Sequence, residues 1–275
     1  MTGRPPTRAL RSLGQVFLNS QATAARIVRA LGAGPTDPVV EVGPGRGALT
    51  GLLAASCGPL VLLEKDRDLA AALAARYSGD PRVSVVECDA TTVDLDRVAP
   101  GPGPWRAVGN LPYNAGTPIL FNLLRHRARF ARMVLMFQRE VAWRIAARPG
   151  DREYGAVSLL VQAQARVDLL FEVPPRRFIP RPAVWSALIR VEPTPADTVL
   201  QRAIDDPRFA ALVHALHAQP RKTVLNSLAD GLSLDRARAV ALIGAAEIDP
   251  TIRPCHVTPA QAMRLWGLWK EARAA

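Results

Sequence analysis

The residues with most to offer chemically are Asn110-Leu111-Pro112-Tyr113. The exocyclic amino nitrogen of adenine is a poor nucleophile, because its lone pair is delocalised into the ring. The side-chain oxygen of Asn110 and a backbone carbonyl such as that of Leu111 can each accept one of its N–H bonds. Held that way, the lone pair turns outward toward an electrophile as charge develops. Pro112 stiffens the turn, and Tyr113 offers a flat face to a base drawn out of its stack. No general base is required, since the nitrogen becomes acidic once alkylated and loses its proton afterwards. Asn and Pro also occur in turns for conformation alone, so a second motif has to decide.

That motif is Glu41-Val-Gly43-Pro-Gly45-Arg-Gly47, which follows an apolar strand and precedes a helix starting near Ala48. Its glycines allow a tight turn and a close approach of ligand to backbone, and the helix start offers free N–H groups. At the carboxyl end of a strand this is a nucleotide-type cofactor loop. A dinucleotide fold shows G-x-G-x-x-G, whereas here the third glycine comes two residues after the second and an acid precedes the first. The spacing resembles the first motif of class I methyltransferases, and the cofactor this implies is S-adenosylmethionine. Glu64 ends the next strand, placed to accept hydrogen bonds from ribose hydroxyls. Asp89 ends the third, where an acceptor can take the amino group of the cofactor's adenine. Either acid alone can be a solvated strand terminus; three matching strand ends in the right order argue for the cofactor.

These residues need a scaffold, and the chain alternates helical patterns with short apolar runs, the mark of a mostly parallel sheet covered by helices. The expected strands are Val39–Val42, Leu60–Glu64, Val83–Glu87, Arg106–Gly109 and Met133–Phe137. Helices are expected over Ala22–Leu31, Leu49–Ala54, Leu69–Tyr77 and Ile119–Leu124. A helix over Tyr154–Gln164 and strands over Val167–Val173 and Trp185–Val191 follow, the two strands joined by an irregular loop containing Pro174, Pro175, Pro180 and Pro182. Such a pair predicts an antiparallel edge. Pro193 and Pro195 mark a boundary, after which only helices are expected.

Composition sets outer limits. The 275 residues are 49% hydrophobic, enough for one large core and a small one. The sequence has no apolar run of membrane-spanning length and no leader pattern at its start. Cys57, Cys88 and Cys255 form neither a disulfide framework nor a C-x-x-C zinc site, which suits a reducing cytoplasm. His214 and His217 with Cys255 and His256 would be a poor metal set, so surface histidines and no metal are expected. The net charge of +11 comes almost wholly from Arg, since Lys occurs only at 65, 222 and 270. Guanidinium groups match phosphate geometry, and a polyanionic partner follows. Arg4, Arg8, Arg11, Arg26 and Arg29 precede the first acid, Asp37. A second run, Arg125, Arg127, Arg129, Arg132, Arg139, Arg144, Arg148 and Arg152, faces only Glu140 and Asp151 in sequence.

Taken together, the motifs resemble the small-subunit (16S) ribosomal RNA adenine dimethyltransferases, relatives of the Erm resistance methyltransferases. Beyond Asn110–Tyr113 and Glu41–Gly47, the resemblance rests on Gly14–Leu18, Gln138–Val141, Tyr154-Gly155, Phe178–Ser186 and Arg221–Ser227. It implies a class I methyltransferase fold, an α/β Rossmann-like seven-stranded sheet, with a small all-α C-terminal domain. The expected division is a basic arm over 1–11, a catalytic domain over 12–193 and a helical domain over 194–275.

The resemblance also implies that Val16, Leu18, Gly43, Gly45, Glu64, Asp89 and Asn110 line the cofactor pocket. Asn110, Leu111, Tyr113 and Phe178 would act at the target base, with Tyr113 and Phe178 sandwiching it. The substrate implied is a pair of adjacent adenines near the 3′ end of small-subunit RNA, within a 30S-type particle, met by a cytoplasmic monomer. The family usually has Asn or His where Val16 stands, which leaves a backbone contact there. Ala183 replaces a usual Lys and Trp185 a frequent Asp, while Pro220 stands where another Arg is common. Rival readings are an Erm-type large-subunit (23S) enzyme and a non-catalytic RNA-binding assembly factor. A DNA adenine methyltransferase would carry Asp or Ser at position 110, followed by Pro-Pro-Tyr.

Overall fold

Apolar runs flanking the two motifs form the centre of one parallel sheet. The computed structural model describes residues 16–101, 103–194 and 203–274. The basic arm expected over 1–11, and Gly14 and Gln15 of the Gly14–Leu18 motif, lie outside the described residues. In chain order the strands are β1 (Phe17–Leu18), β2 (Val39–Val42), β3 (Leu60–Glu64), β4 (Val83–Glu87), β5 (Trp105–Asn110), β6 (Phe130–Gln138), β7 (Ala165–Val173), β8 (Phe178–Ile179) and β9 (Ser186–Pro193). Every residue of β2 and β3 is buried, as expected of strands rich in Val and Leu that are covered on both faces of a parallel sheet.

The main sheet has the order β4-β3-β2-β5-β6-β9-β7. Its four pairs from β4 to β6 are parallel, and β9 runs antiparallel to β6. From β2 the chain steps outward to β3 and β4, then crosses to β5 on the other side of β2. The order therefore reverses between β2 and β5, and open α/β sheets bind ligands above the carboxyl ends at such a reversal. Both motifs emerge there. Val42 lies opposite Gly109, and a Cβ on Gly109 would sit 2.6 Å from the Val42 carbonyl oxygen. Glycine before Asn110 is thus what lets β5 approach β2.

Helix α1 (Gln21–Leu31) starts at Ser20, whose hydroxyl accepts the Thr23 N–H, and ends at Gly32 in the left-handed region. It buries Ala24, Ile27 and Leu31 in the sheet's core. Helices α2 (Thr50–Ser56), α3 (Arg67–Arg76), α4 (Leu95–Val98) and α5 (Gly116–Arg125) follow. Asp66 caps α3, and the Ala115 carbonyl starts α5 immediately after Asn110–Tyr113. Sequence patterning did not announce α6 (Arg139–Ala146), which reads as a charge run; Ala142 and Ile145, three apart, are its buried positions. The expected helix over Tyr154–Gln164 contracts to α7 (Ala156–Gln162), and the β1–β8 pair was not foreseen because strands of two residues leave no periodic signal.

Two compact units result. One runs to Ala142 and resumes over Val167–Pro193; the other consists of Trp143–Arg166 and the chain from Thr194 on. This differs from a single boundary at 193/194. Tyr154, Leu159 and Ala163 are buried in the same core as Phe209, Leu212, Leu228, Ile243 and Trp266, and the Tyr154 hydroxyl donates to the Val257 carbonyl at 3.1 Å. Apart from Ala165 and Arg166, which begin β7, the regular structure of that second unit is helical among its described residues and includes α7, α8 (Pro207–His217), α9 (Val224–Leu232), α10 (Arg236–Ala245) and α11 (Pro259–Ala274), with a 3-10 turn at Pro254–His256. His217 is not the surface residue expected. It is half-buried against the Tyr154 ring at 6.3 Å, with Nδ1 3.0 Å from the Val213 carbonyl. None of the described helices is long and apolar enough to cross a membrane.

Candidate active site

One pocket at the reversal point is lined by Val16, Leu18, Gly43, Gly45, Glu64, Asp89, Asn110 and Leu111. The pocket opens to solvent at its mouth. Gly43 and Gly45 turn the loop through positive φ angles of +64° and +56°. A side chain on Gly45 would strike the Phe17 ring at 2.9 Å, so the loop needs glycine for space as well as conformation.

The three acids do different work. Glu64 accepts the Gly45 N–H through Oε2 and the Asp66 N–H through Oε1, both at 2.9 Å, so it fixes the glycine loop against the end of β3. Burial raises its pKa. The Lys65 N–H also faces this carboxylate. Asp89 is more engaged than its sequence position suggests: Lys65 donates to Oδ2 at 2.7 Å, while the Thr91 N–H and hydroxyl donate to Oδ1 at 2.9 and 2.7 Å. The Lys65 hydrogen bond leads those that pull its carboxyl down to about 2.

Glu41, which the glycine motif carries at its start, is 1% exposed and lines the same pocket. The Thr50 hydroxyl donates to its Oε2 at 2.7 Å. Burial pushes its carboxyl up to about 8, with the nearby Glu64 charge adding to the rise. A signal existed: a carboxylate inside the otherwise apolar strand Val-Val-Glu-Val has to be buried or functional. Lys65, Cys88 and Asn114, which no motif placed there, also line the pocket.

Asn110 closes β5 with its side-chain Nδ2 donating to the Val16 carbonyl at 2.7 Å. One of the two Nδ2 hydrogens is committed there, and Oδ1 is the amide's acceptor. Leu111 is held by its N–H on the Met136 carbonyl at 3.2 Å, and its side chain is buried. Tyr113 is half-buried, and its hydroxyl lies 2.8 Å from Ser186 Oγ at the start of β9. Phe178 lies elsewhere than at an open face. It is 2% exposed, opposite Leu18 in the β1–β8 pair and inside the core cluster with Leu188.

The second Arg run is also less available than its sequence implied. Arg127 is 3% exposed, Arg129 pairs with Asp96 at 2.9 Å, Arg132 with Glu192 at 2.8 Å and Arg139 with Glu172 at 3.7 Å. Partners distant in sequence consume charges that local counting left free. Arg26 stacks over Phe171 at 3.7 Å.

Counted along the chain, the main sheet's strands run 3-2-1-4-5-7-6 with the seventh reversed. With a glycine loop after the first strand and acids ending the second and third, this architecture defines a class I S-adenosylmethionine-dependent methyltransferase. The donor set fits that cofactor: carboxylates suit its hydroxyls, amine and cationic centres, and Gly45 leaves a cradle that a Cβ would fill.

The chain belongs to the ribosomal RNA adenine dimethylase family, whose model matches residues 7–250. It is 41% identical over 258 residues to the ribosomal RNA small subunit methyltransferase A of Acinetobacter baylyi, covering 94% of this chain and 91% of that one. The protein of the same name from Xylella fastidiosa strain 9a5c is 44% identical over 223 residues, covering 81% and 83%. Among solved structures, a dimethyladenosine transferase from Plasmodium falciparum shares the fold at TM-score 0.76 and 22% identity, over 93% of this chain and 98% of that one. The 23S rRNA methyltransferase ErmE superposes at TM-score 0.67 with 27% identity, over 92% and 99%.

Proposed function

We propose that this enzyme dimethylates the N6 amino groups of two adjacent adenines near the 3′ end of small-subunit ribosomal RNA, acting as a cytoplasmic monomer on a 30S-type particle. The observation carrying this reading is Asn110, pinned at the end of β5 by the Val16 carbonyl so that its amide oxygen is the acceptor for the substrate amine. When bound, S-adenosylmethionine supplies an electrophilic methyl group on a sulfonium. Asn110 Oδ1 and the Leu111 carbonyl accept the two N6 hydrogens and orient the lone pair. The first transfer leaves one N–H, which either acceptor can hold for the second. Tyr113 stacks on the base, and the resemblance to the family suggests Phe178 for the other face, although its ring is buried in this structure.

Undermethylated small-subunit particles and protein-free 23S RNA, each incubated with labelled cofactor, test the reading. Label in paired adenines of the small-subunit RNA supports it. Label confined to 23S RNA assigns the chain to the activity named for ErmE, and no label in either sinks the enzymatic reading.

A further inference from the structure

The loop from β8 to β9 exposes apolar surface that the fold does not use. Ile179 is 50% exposed, Val184 39% and Trp185 41%, all within seven consecutive residues. A single exposed Leu or Val needs no explanation, but an exposed Trp with two aliphatic companions marks a contact surface. Its backbone is not loose: the Arg139 N–H donates to the Trp185 carbonyl at 2.8 Å. The next residue, Ser186, is the one bonded to the Tyr113 hydroxyl. The Trp185 Cα is therefore one peptide step, about 3.8 Å, from the Cα that anchors the proposed stacking tyrosine.

Charge identifies the occupant. From Val173 to Val191 the chain has no acidic residue. Arg176, Arg177 and Arg181 are exposed in that stretch, and none has an acidic partner within 4 Å among the described residues. An exposed aromatic ring and three exposed guanidinium groups within ten residues of chain have the composition of a single-strand nucleic-acid platform. An apolar protein partner would leave those charges uncompensated.

We propose that Trp185 stacks on an unpaired base of the RNA strand next to the target adenine, with Arg176, Arg177 and Arg181 holding the neighbouring phosphates. The inference rests on the RNA-methylating reading above and adds a positioning residue to it. Trp185 would set how the strand enters the site, without touching the reacting atoms.

Steady-state methylation of undermethylated small-subunit particles by Trp185→Ala, Trp185→Phe and Arg181→Gln tests it, beside the wild type and across a salt series. Base–aromatic stacking lost to alanine predicts a KM for RNA raised roughly 5- to 100-fold in Trp185→Ala. Its kcat should stay within about twofold, because the interaction is equal in ground and transition states. Trp185→Phe should recover most of the loss. Arg181→Gln should flatten the salt dependence of KM, whereas Trp185→Ala should leave that slope unchanged. An unaltered thermal midpoint for Trp185→Ala shows that the exposed ring carries no fold. The proposal is overturned if Trp185→Ala keeps the wild-type KM, if Phe fails to rescue, or if sedimentation shows wild-type self-association that Trp185→Ala abolishes. Inactive wild type on these particles would sink the functional reading and this inference with it; active wild type with an indifferent Trp185→Ala sinks the inference alone.

Discussion

The side-chain nitrogen of Asn110 donates a 2.7 Å hydrogen bond to the backbone carbonyl of Val16. This contact joins the end of β5 to the segment preceding β1, and it orients the amide whose oxygen is proposed to hold the substrate amine. Because the acceptor is backbone, the side chain at position 16 is free to vary, which explains how Val stands where the resembling family has Asn or His.

Replacing Asn110 by Asp should therefore be severe although it keeps an acceptor oxygen. The carboxylate cannot donate to the Val16 carbonyl and would be repelled by it. We expect kcat to fall about 10²- to 10³-fold, the scale of losing one preorganised polar group at a reacting centre. Cofactor affinity by calorimetry should change only a few-fold, and Val16→Ala should keep near-normal kcat.

Gly45→Ala should weaken both fold and cofactor binding. The new Cβ meets the Phe17 ring at 2.9 Å, on a residue with φ of +56°. A strained backbone position costs about 1–3 kcal/mol, measurable by urea unfolding. Gly45→Ala combined with Phe17→Leu should recover the steric part of the loss and leave the conformational part.

Tyr113 and Ser186 form one unit through a 2.8 Å hydroxyl contact. Tyr113→Phe and Ser186→Ala should each lower stability by about 1 kcal/mol, with the double variant no worse than either single one. Since Tyr113→Phe keeps the ring, its methyl-transfer rate should survive, whereas Tyr113→Ala should lose it.

Glu41 gives a pH signature. In the unfolded chain its carboxyl titrates near the ordinary 4.5; in the fold, burial holds it up to about 8. Between these values the folded state keeps a proton that the unfolded state has released, so this residue's contribution to stability falls as pH rises through that window and levels off above it. Glu41→Gln should remove that slope. Unfolding free energies of wild type and variant at pH 5 and 8.5 should converge at the acid end and diverge on the order of a few kcal/mol at the alkaline end. A constant difference between the two proteins would contradict the assignment.

Much of this was legible in residue order. Val39–Val42, Leu60–Glu64 and Val83–Glu87 announced the parallel strands through apolar runs, fully buried in the first two, and the acids at their ends pointed to one pocket. What stayed hidden depends on contacts between distant segments. Asp96, Glu172 and Glu192 neutralise arginines that counted as free locally. Residues 143–166 join the C-terminal helices because Tyr154 and Leu159 share their core, which no local pattern reveals. Phe178 was expected at the base, and its burial opposite Leu18 follows from a two-residue pairing too short to read in sequence.

Asn110 is proposed to serve dimethylation of two adjacent adenines in small-subunit RNA. The most direct measurement is mass spectrometry of nuclease-digested ribosomal RNA from a strain lacking this enzyme, complemented with wild type or with Asn110→Ala. Adjacent N6,N6-dimethyladenines in the small-subunit RNA should be restored by wild type and absent with Asn110→Ala. Restoration by both, or a wild-type-dependent modification confined to the large-subunit RNA, would contradict it.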